Sequence, residues 1–468
     1  MRTHGFLWRI SLAAVFVLSA ISLSAEKPAK LLVKNAYLFT MADGQKKPFI
    51  GYFTVDDAGK LTTVAAGAPP ATLQAQSTWD ADGHWITPGF LSAHSHIWQS
   101  AFRGIAADKT LLDWITGLYT DKASKAKAED FYWFTLDGAL DHLQHGITGA
   151  YDFTYGGSRG NCPGIDCDKS SYKADIDSGI RFVYGYQPDH ISATDTAAMS
   201  MERLQQFMDW LATQPKSDHL LSVMVNGMTS FNDTYEQSVS EKAMMDKFHL
   251  GNQSHFLEPP GNVPADQAKF KWYIDSGLLG SKNLYFGHFI HTSDAILEAT
   301  AKAHAGMSWN PLSNGRLASG TADIPKYLRM GIRVGMGVDG EASADLADPF
   351  ENMRTGLYAI RDKYEDATIM SPYQVLYLHT MGSADVMSVK DKLGSLEPGK
   401  FADFLVIDPM RLGAIFDPYA SLVLVTGERD LERVYVGGEL KVDHGKLLGQ
   451  DFDKVIGEAS RRAGKTQN

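Results

Sequence analysis

Between residues 86 and 340 the chain alternates short apolar runs with longer amphipathic stretches. No other feature restricts the fold as tightly. The runs are 86–96, 147–153, 180–186, 220–227, 254–258, 284–290, 306–311 and 332–340, each of strand length. Stretches such as 128–146 and 200–213 lie between them and have helical length and spacing. Strand then helix, eight times over, predicts an α/β chain with parallel strands and a closed (β/α)8 TIM barrel. An open doubly wound sheet is the competing topology, but no Gly-x-Gly-x-x-Gly turn supports nucleotide binding in it. Both ends of the chain read differently. Residues 30–41, 51–67, 401–408 and 431–447 alternate apolar and polar positions around Asp-Ala-Gly and Gly-Gly turns, so they predict strands.

The first 25 residues stand apart from this pattern. Arg2 and Arg9 precede an uncharged run, Ile10 to Ala25, that ends in small residues. It is shorter than the ~20 apolar residues a spanning helix needs. It predicts a secretory signal over 1–25, cleaved near Ala25, with an uncleaved anchor as the alternative. The mature chain is then expected to be periplasmic or secreted, with no stable membrane insertion. The net charge of -11 becomes -13 once Arg2 and Arg9 are removed. With no basic patch, nucleic acid is excluded as a partner. Export also bears on Cys162 and Cys167, the two cysteines of the chain. They lie in a short Gly- and Pro-containing loop, where a disulfide staple is expected and where two thiols make a poor zinc site.

In a barrel, reactive side chains come from the C-terminal ends of the strands. The run 86–96 ends in His94 and His96, which share one face of a strand. Further on, "SHFLEP" supplies His255 and Glu258, "GHFIH" supplies His288 and His291, and "GVDG" supplies Asp339. Imidazoles with a carboxylate suit one divalent metal ion, here expected to be zinc, with iron(II) as the alternative. Held by His94, His96, His255 and Asp339, such an ion would lower the pKa of a bound water towards ~7. Glu258 is then a candidate proton shuttle. His288 would hold the attacking oxygen or polarise the reacting centre, and Asp339 would also accept a proton.

Six segments in this order are "PGFLSAHSHIWQ", "SHFLE", "GHFIHTSDAIL", "WNPLSNGRLASG", "VGMGVDG" and "LGSLEPGKFADFLVID". Together they resemble the amidohydrolase superfamily over roughly residues 30–448. The branch they resemble holds cytosine deaminase, the S-adenosylhomocysteine and methylthioadenosine deaminases, and the triazine hydrolases. The resemblance implies the same ligand set, Glu258 as shuttle, and His288 facing substrate. It also implies a small β-sandwich built from both chain ends, over 26–85 and 394–448. The barrel would then span 86–393, with a C-terminal tail at 449–468. Many such deaminases carry a second histidine before the one in strand 5, and that position is read here as Ser254. Strand 7 has Ser308-Trp309 where a histidine is common. Strand 4 has no lysine to bridge two metals, which favours one ion.

Trp98, Gln99, Arg103 and Asn310 are candidate substrate contacts. The bland readings are loop anchoring or a salt bridge for Arg103, and turn-holding for Asn310 and Asn314. His142 and His145 read as surface or packing residues, and Trp114 as core or pocket wall. The expected activity is hydrolysis of a C–N bond in a small heterocycle, most simply a deamination. Amide or halide hydrolysis in the same site is the alternative. A non-catalytic binding protein would be expected to have lost a ligand or Glu258, and all are present. A homo-oligomer is compatible with the sequence.

Overall fold

The computed structural model describes Met1 and residues 27–155, 161–162 and 164–465. Apart from Met1, the expected signal sequence lies outside the described residues.

The N-terminal part supplies β1 (Ala29–Leu38), β2 (Phe49–Val55), β3 (Leu61–Ala66), β4 (Ala75–Asp80) and β5 (Trp85–Pro88). Next come β6 (Phe90–His96), β7 (Ile147–Phe153), β8 (Arg181–Tyr186), β9 (Leu220–Gly227), β10 (Gly251–Phe256), β11 (Leu284–His288), β12 (Gly306–Trp309), β13 (Arg333–Met336) and β14 (Asp339–Gly340). The chain returns through β15 (Phe404–Ile407), β16 (Leu431–Val436), β17 (Glu439–Asp443) and β18 (Lys446–Leu447).

Strands β6 to β14 form one curled, all-parallel, nine-stranded sheet. β13 pairs with β12, and β14 pairs with β6. Only Gly337 and Val338 separate β13 from β14, so one passage of chain joins the two ends of the curl in TIM-like fashion. Parallel strands of this kind are buried on both faces, and all seven residues of β7 are buried. Outside, helix Ala197–Ala212 is capped by Thr196, whose hydroxyl accepts from the Met199 amide at 3.3 Å. It lays Phe207 flat on Tyr184 of β8, with ring centroids 5.0 Å apart. Truncating a fully buried ring of this kind to alanine costs about 3–5 kcal/mol. Inside, Leu91, Tyr151, Val183, Met224 and Tyr285 fill the barrel floor.

The other strands form a second nine-stranded sheet in the order β18-β17-β16-β15-β5-β1-β2-β3, with β4 beside β1. The two ends of the chain, expected to build a small β-sandwich, therefore meet in one continuous hydrogen-bonded ladder. β5 runs into β6 across Gly89 alone. A Cβ there would lie 2.1 Å from the Thr148 hydroxyl, so only glycine lets the two sheets join at this point. The tail at 449–468 carries a helix, Phe452–Lys465. Its Arg462 pairs with Asp130 at 2.8 Å and with Glu129 at 2.5 Å. Cys162 and Cys167 are bonded as a disulfide, with Cα atoms 5.7 Å apart.

Candidate metal centre and active-site pocket

His94 and His96 reach the barrel interior because β6 is irregular. Leu91 faces the interior cluster, and so do His94 and His96. Odd and even positions cannot share a face of a regular strand. The register breaks between Ser92 and Ser95, and the extra residue reverses the parity. The Ser92 hydroxyl holds the bulge by donating to the His94 carbonyl at 2.9 Å. Two other site residues sit on strained backbone. His288 has φ 67° and Asp339 has φ 61°, a left-handed conformation that ordinarily favours glycine. β11 ends at His288 and β14 begins at Asp339, and at both residues the side chain turns into the site.

The result is a compact buried cluster. His94 Nε2 and His96 Nε2 each lie 3.3 Å from Asp339 Oδ1. His96 Nε2 is 3.2 Å from His255 Nε2. Ligands at ~2.05 Å around a tetrahedral ion stand about 3.3 Å apart, so these separations fit a shared cation. His94 Nε2 has no hydrogen-bond partner although it is buried. His288 also comes close: with His94, His255 and Asp339 it offers ligand atoms all within 4.8 Å of one another.

Tautomers separate His288 from the others. The His94 Nδ1–H donates to Gln253 Oε1, and the His96 Nδ1–H donates to the Phe153 carbonyl at 2.9 Å. Both rings therefore present bare Nε2 lone pairs when neutral. His288 is the reverse. Its Nδ1 accepts from the Asn314 amide at 2.7 Å, with the Asn310 amide at 3.4 Å. Its proton therefore sits on Nε2, which faces Glu258 Oε2 at 3.6 Å and Asp339 Oδ2 at 3.8 Å.

Electrostatics reinforce the arrangement. Burial, with repulsion from His94, pushes His96 down to about 4. Burial pushes His288 down to about 3, against the pull of Asp339. Burial and three neighbouring imidazoles hold His255 well below the usual range. Burial alone would raise Asp339, but the surrounding histidines keep it well below the carboxylate range. Glu258 goes the other way: burial and the Asp339 charge push it well up, with only the Ser319 hydroxyl opposing at 3.3 Å. Imidazoles converging on one carboxylate, beside a second carboxyl that burial pushes up, are a donor set that fits a divalent cation beside an acid–base group.

These groups form the floor of a cavity of about 240 Å³. Its walls are mostly apolar, with Leu111, Trp114, Tyr119, Tyr155, Met228, Phe231 and Leu317. Leu111 and Trp114 belong to helix Leu111–Ile115, which lines the cavity, and Trp114 is tied by its indole N–H to the Ala342 carbonyl at 2.6 Å.

Several expected contacts lie elsewhere. Trp98, Gln99, Arg103 and Asn310 are not part of the pocket wall. Trp98 packs among Phe102, Tyr119 and Phe131. Gln99 donates to the Tyr119 hydroxyl at 2.7 Å, and a Cβ on Gly340 would collide with it at 1.8 Å. It braces the pocket wall from behind. Arg103 is paired with Glu341 and, at 3.1 Å, with Asp141. Asn310 accepts from the Ser308 hydroxyl at 2.8 Å and acts through His288. His142 and His145 are buried packing residues. His291 turns away and donates to the Ser319 carbonyl at 2.8 Å.

Gln253 was missed by sequence reasoning. The position two before His255, on the same face of β10, is Gln253, whereas Ser254 points to the opposite face. Strand parity alone could have found it. The strand start was also misplaced, because its polar residues Asn252, Gln253 and Ser254 are all buried.

Comparison with known proteins identifies the family of the chain. Residues 85–441 match the model of the Amidohydrolase family. A 5-methylthioadenosine/S-adenosylhomocysteine deaminase from Desulforudis audaxviator is 27% identical over 93% of this chain and 98% of its own. A 5'-deoxyadenosine deaminase from Methanosarcina barkeri is 28% identical over the same shares. In structure, a zinc-bound adenosine deaminase from Xanthomonas campestris superposes with a TM-score of 0.81 at 19% identity, covering 94% of this chain and 99% of the other. Atrazine chlorohydrolase from Arthrobacter aurescens, complexed with zinc, gives 0.79 at 19%, covering 92% and 100%. At that identity the superpositions speak for the fold. The chain belongs to the amidohydrolase family, and its deaminase relatives are hydrolases acting on carbon–nitrogen bonds.

Proposed function

We propose that this chain is a zinc-dependent deaminase of an adenosine-like heterocycle, with His94, His96, His255 and Asp339 as the metal ligands. A divalent cation bound there supplies Lewis acidity that makes water a nucleophile near neutral pH. The rest is done by the chain. Asp339, held ionised, accepts the proton of the attacking water. Glu258, held protonated, delivers its proton to the ring nitrogen next to the attacked carbon. The His288 Nε2–H donates to the oxygen as charge develops on it. The observation that carries this reading is Glu258: buried, its carboxyl pushed well above the usual range by burial and the Asp339 charge, and placed beside His288 among the pocket-lining residues.

The apolar walls favour a flat aromatic base carrying an apolar substituent. The names of the relatives, 5-methylthioadenosine and 5'-deoxyadenosine deaminases, fit that description. The signal read at residues 1–25 supports an exported enzyme that meets its substrate outside the cytoplasm. The test is ammonia release from 5'-deoxyadenosine, methylthioadenosine, adenosine and cytosine by the purified chain. Ammonia from an aminopurine supports the reading. Chloride or carboxylate release from other heterocycles, with no ammonia from these, overturns it. Glu258→Gln is expected to keep its metal and lose about 10²–10⁴-fold in turnover. Full activity in that variant would refute the role of Glu258.

A further inference from the structure

His84, Asp408 and Glu432 come together away from the pocket wall, at one end of three neighbouring strands. His84 precedes β5, Asp408 follows β15, and Glu432 lies in β16. β15 runs between the other two, with Ile407 opposite both Trp85 and Leu431. One ligand atom from each residue lies within 4.8 Å of the other two, and all three residues are half-buried.

The hydrogen bonds show that His84 has something to resolve. Its Nδ1 is 2.6 Å from the Ala81 carbonyl. A carbonyl can only accept, so Nδ1 carries the proton and the neutral ring keeps its lone pair on Nε2. That lone pair faces Glu432 Oε2 at 3.0 Å. A lone pair against a carboxylate is repulsive unless a proton or a metal ion lies between them. His444 approaches the other oxygen of the same carboxylate, with Nε2 3.2 Å from Oε1. Asp408 is oriented through one oxygen, Oδ1, which accepts from the Met410 amide at 2.9 Å. The Arg411 guanidinium stands 3.8 Å from its other oxygen, beyond hydrogen-bond range.

We propose that His84, Asp408 and Glu432 form a second divalent-cation site, suited to zinc, that fastens the two ends of the chain together. One imidazole and two carboxylates are a borderline donor set of the kind zinc accepts, with room for water at the remaining positions. His84 lies before the whole barrel segment in sequence, and the two acids lie after it. An ion shared among them closes a very long loop and stabilises the folded chain by mass action. The rival state is an imidazolium on His84, paired with Glu432 and indifferent to metal.

The experiment counts zinc in the full-length protein. Wild type, Glu432→Gln, His84→Gln and Asp408→Asn are stripped with a chelator, reloaded with zinc, desalted, and analysed by elemental mass spectrometry. Asparagine keeps the turn cap at 408, so that variant guards against a folding artefact. The expected result is one zinc per chain fewer in each variant, unchanged turnover, and loss of a zinc-dependent rise in Tm that wild type shows. Equal zinc content and an equal Tm response in wild type and variants would overturn the proposal in favour of the imidazolium. The readout is a difference, so it holds whatever the occupancy of the catalytic centre.

Discussion

Gln253 offers the sharpest test of how the metal centre is built. Its Oε1 accepts the His94 Nδ1–H, and its Nε2 donates to the Ala93 carbonyl at 2.7 Å. Replacing it by methionine keeps the volume and removes both bonds. The Ala93 carbonyl is not orphaned, because it also accepts from the Tyr285 hydroxyl at 2.9 Å. The loss therefore concentrates on one buried donor, the His94 N–H. An unsatisfied buried donor costs about 1–3 kcal/mol. Removing the partner that orients a metal-bound histidine costs about 10- to 100-fold in metal affinity. That range is about 1.4–2.7 kcal/mol, so the two figures agree. The assay is a competitive zinc titration against a chromophoric chelator, with kcat/KM measured at saturating zinc. Gln253→Met should bind zinc at least tenfold more weakly while its thermal unfolding stays cooperative. If affinity and kcat/KM both match wild type, the claim that Gln253 sets the His94 tautomer is wrong.

Two further predictions follow from the same hydrogen bonds. Asn314→Leu removes the amide that holds the His288 proton on Nε2. Turnover should fall about tenfold or more with zinc content unchanged, and wild-type turnover would show that the tautomer of His288 does not matter. Glu241 is buried behind β9 and β10, and burial pushes it up to about 7 against bonds from the Met228 amide and Asn252. The folded chain thus holds this proton more tightly than the unfolded chain, whose ordinary value is 4.5. The stability it contributes is complete below about 4.5 and is lost as pH rises to about 7, a change of about 3 kcal/mol. Glu241→Gln should flatten the fall in urea midpoint between pH 5 and 8, and an unchanged slope would count against the assignment.

Much of this was legible before folding, and the parts that were not share a cause. β7 and β9 coincide with the runs 147–153 and 220–227, because largely buried strands stand out as predominantly apolar segments. β10 begins at Gly251, three residues before its expected start, because Asn252 and Ser254 pair with each other and Asn252 with Glu241. Buried polar residues with satisfied partners look like loop in a hydropathy reading. β4 was overlooked for a related reason: it is largely exposed, so it carries no apolar signal. The expected substrate contacts are a different case. Gln99 and Arg103 stand where a contact could be, but partners distant in sequence, Tyr119 and Glu341, already occupy them.

The class of fold, the family and the residue types that gather at the strand ends can all be read along the chain, because strand period, helix period and motif order are local properties. The tertiary structure alone decided which nitrogen of each histidine faces the centre. It also decided that a bulge turns His94 inward and that burial and the Asp339 charge push Glu258 up while the neighbouring histidines hold Asp339 down. Those outcomes depend on carbonyls, amides and charges brought together from distant strands. A tautomer or a shifted pKa belongs to that assembled environment and to no single stretch of sequence.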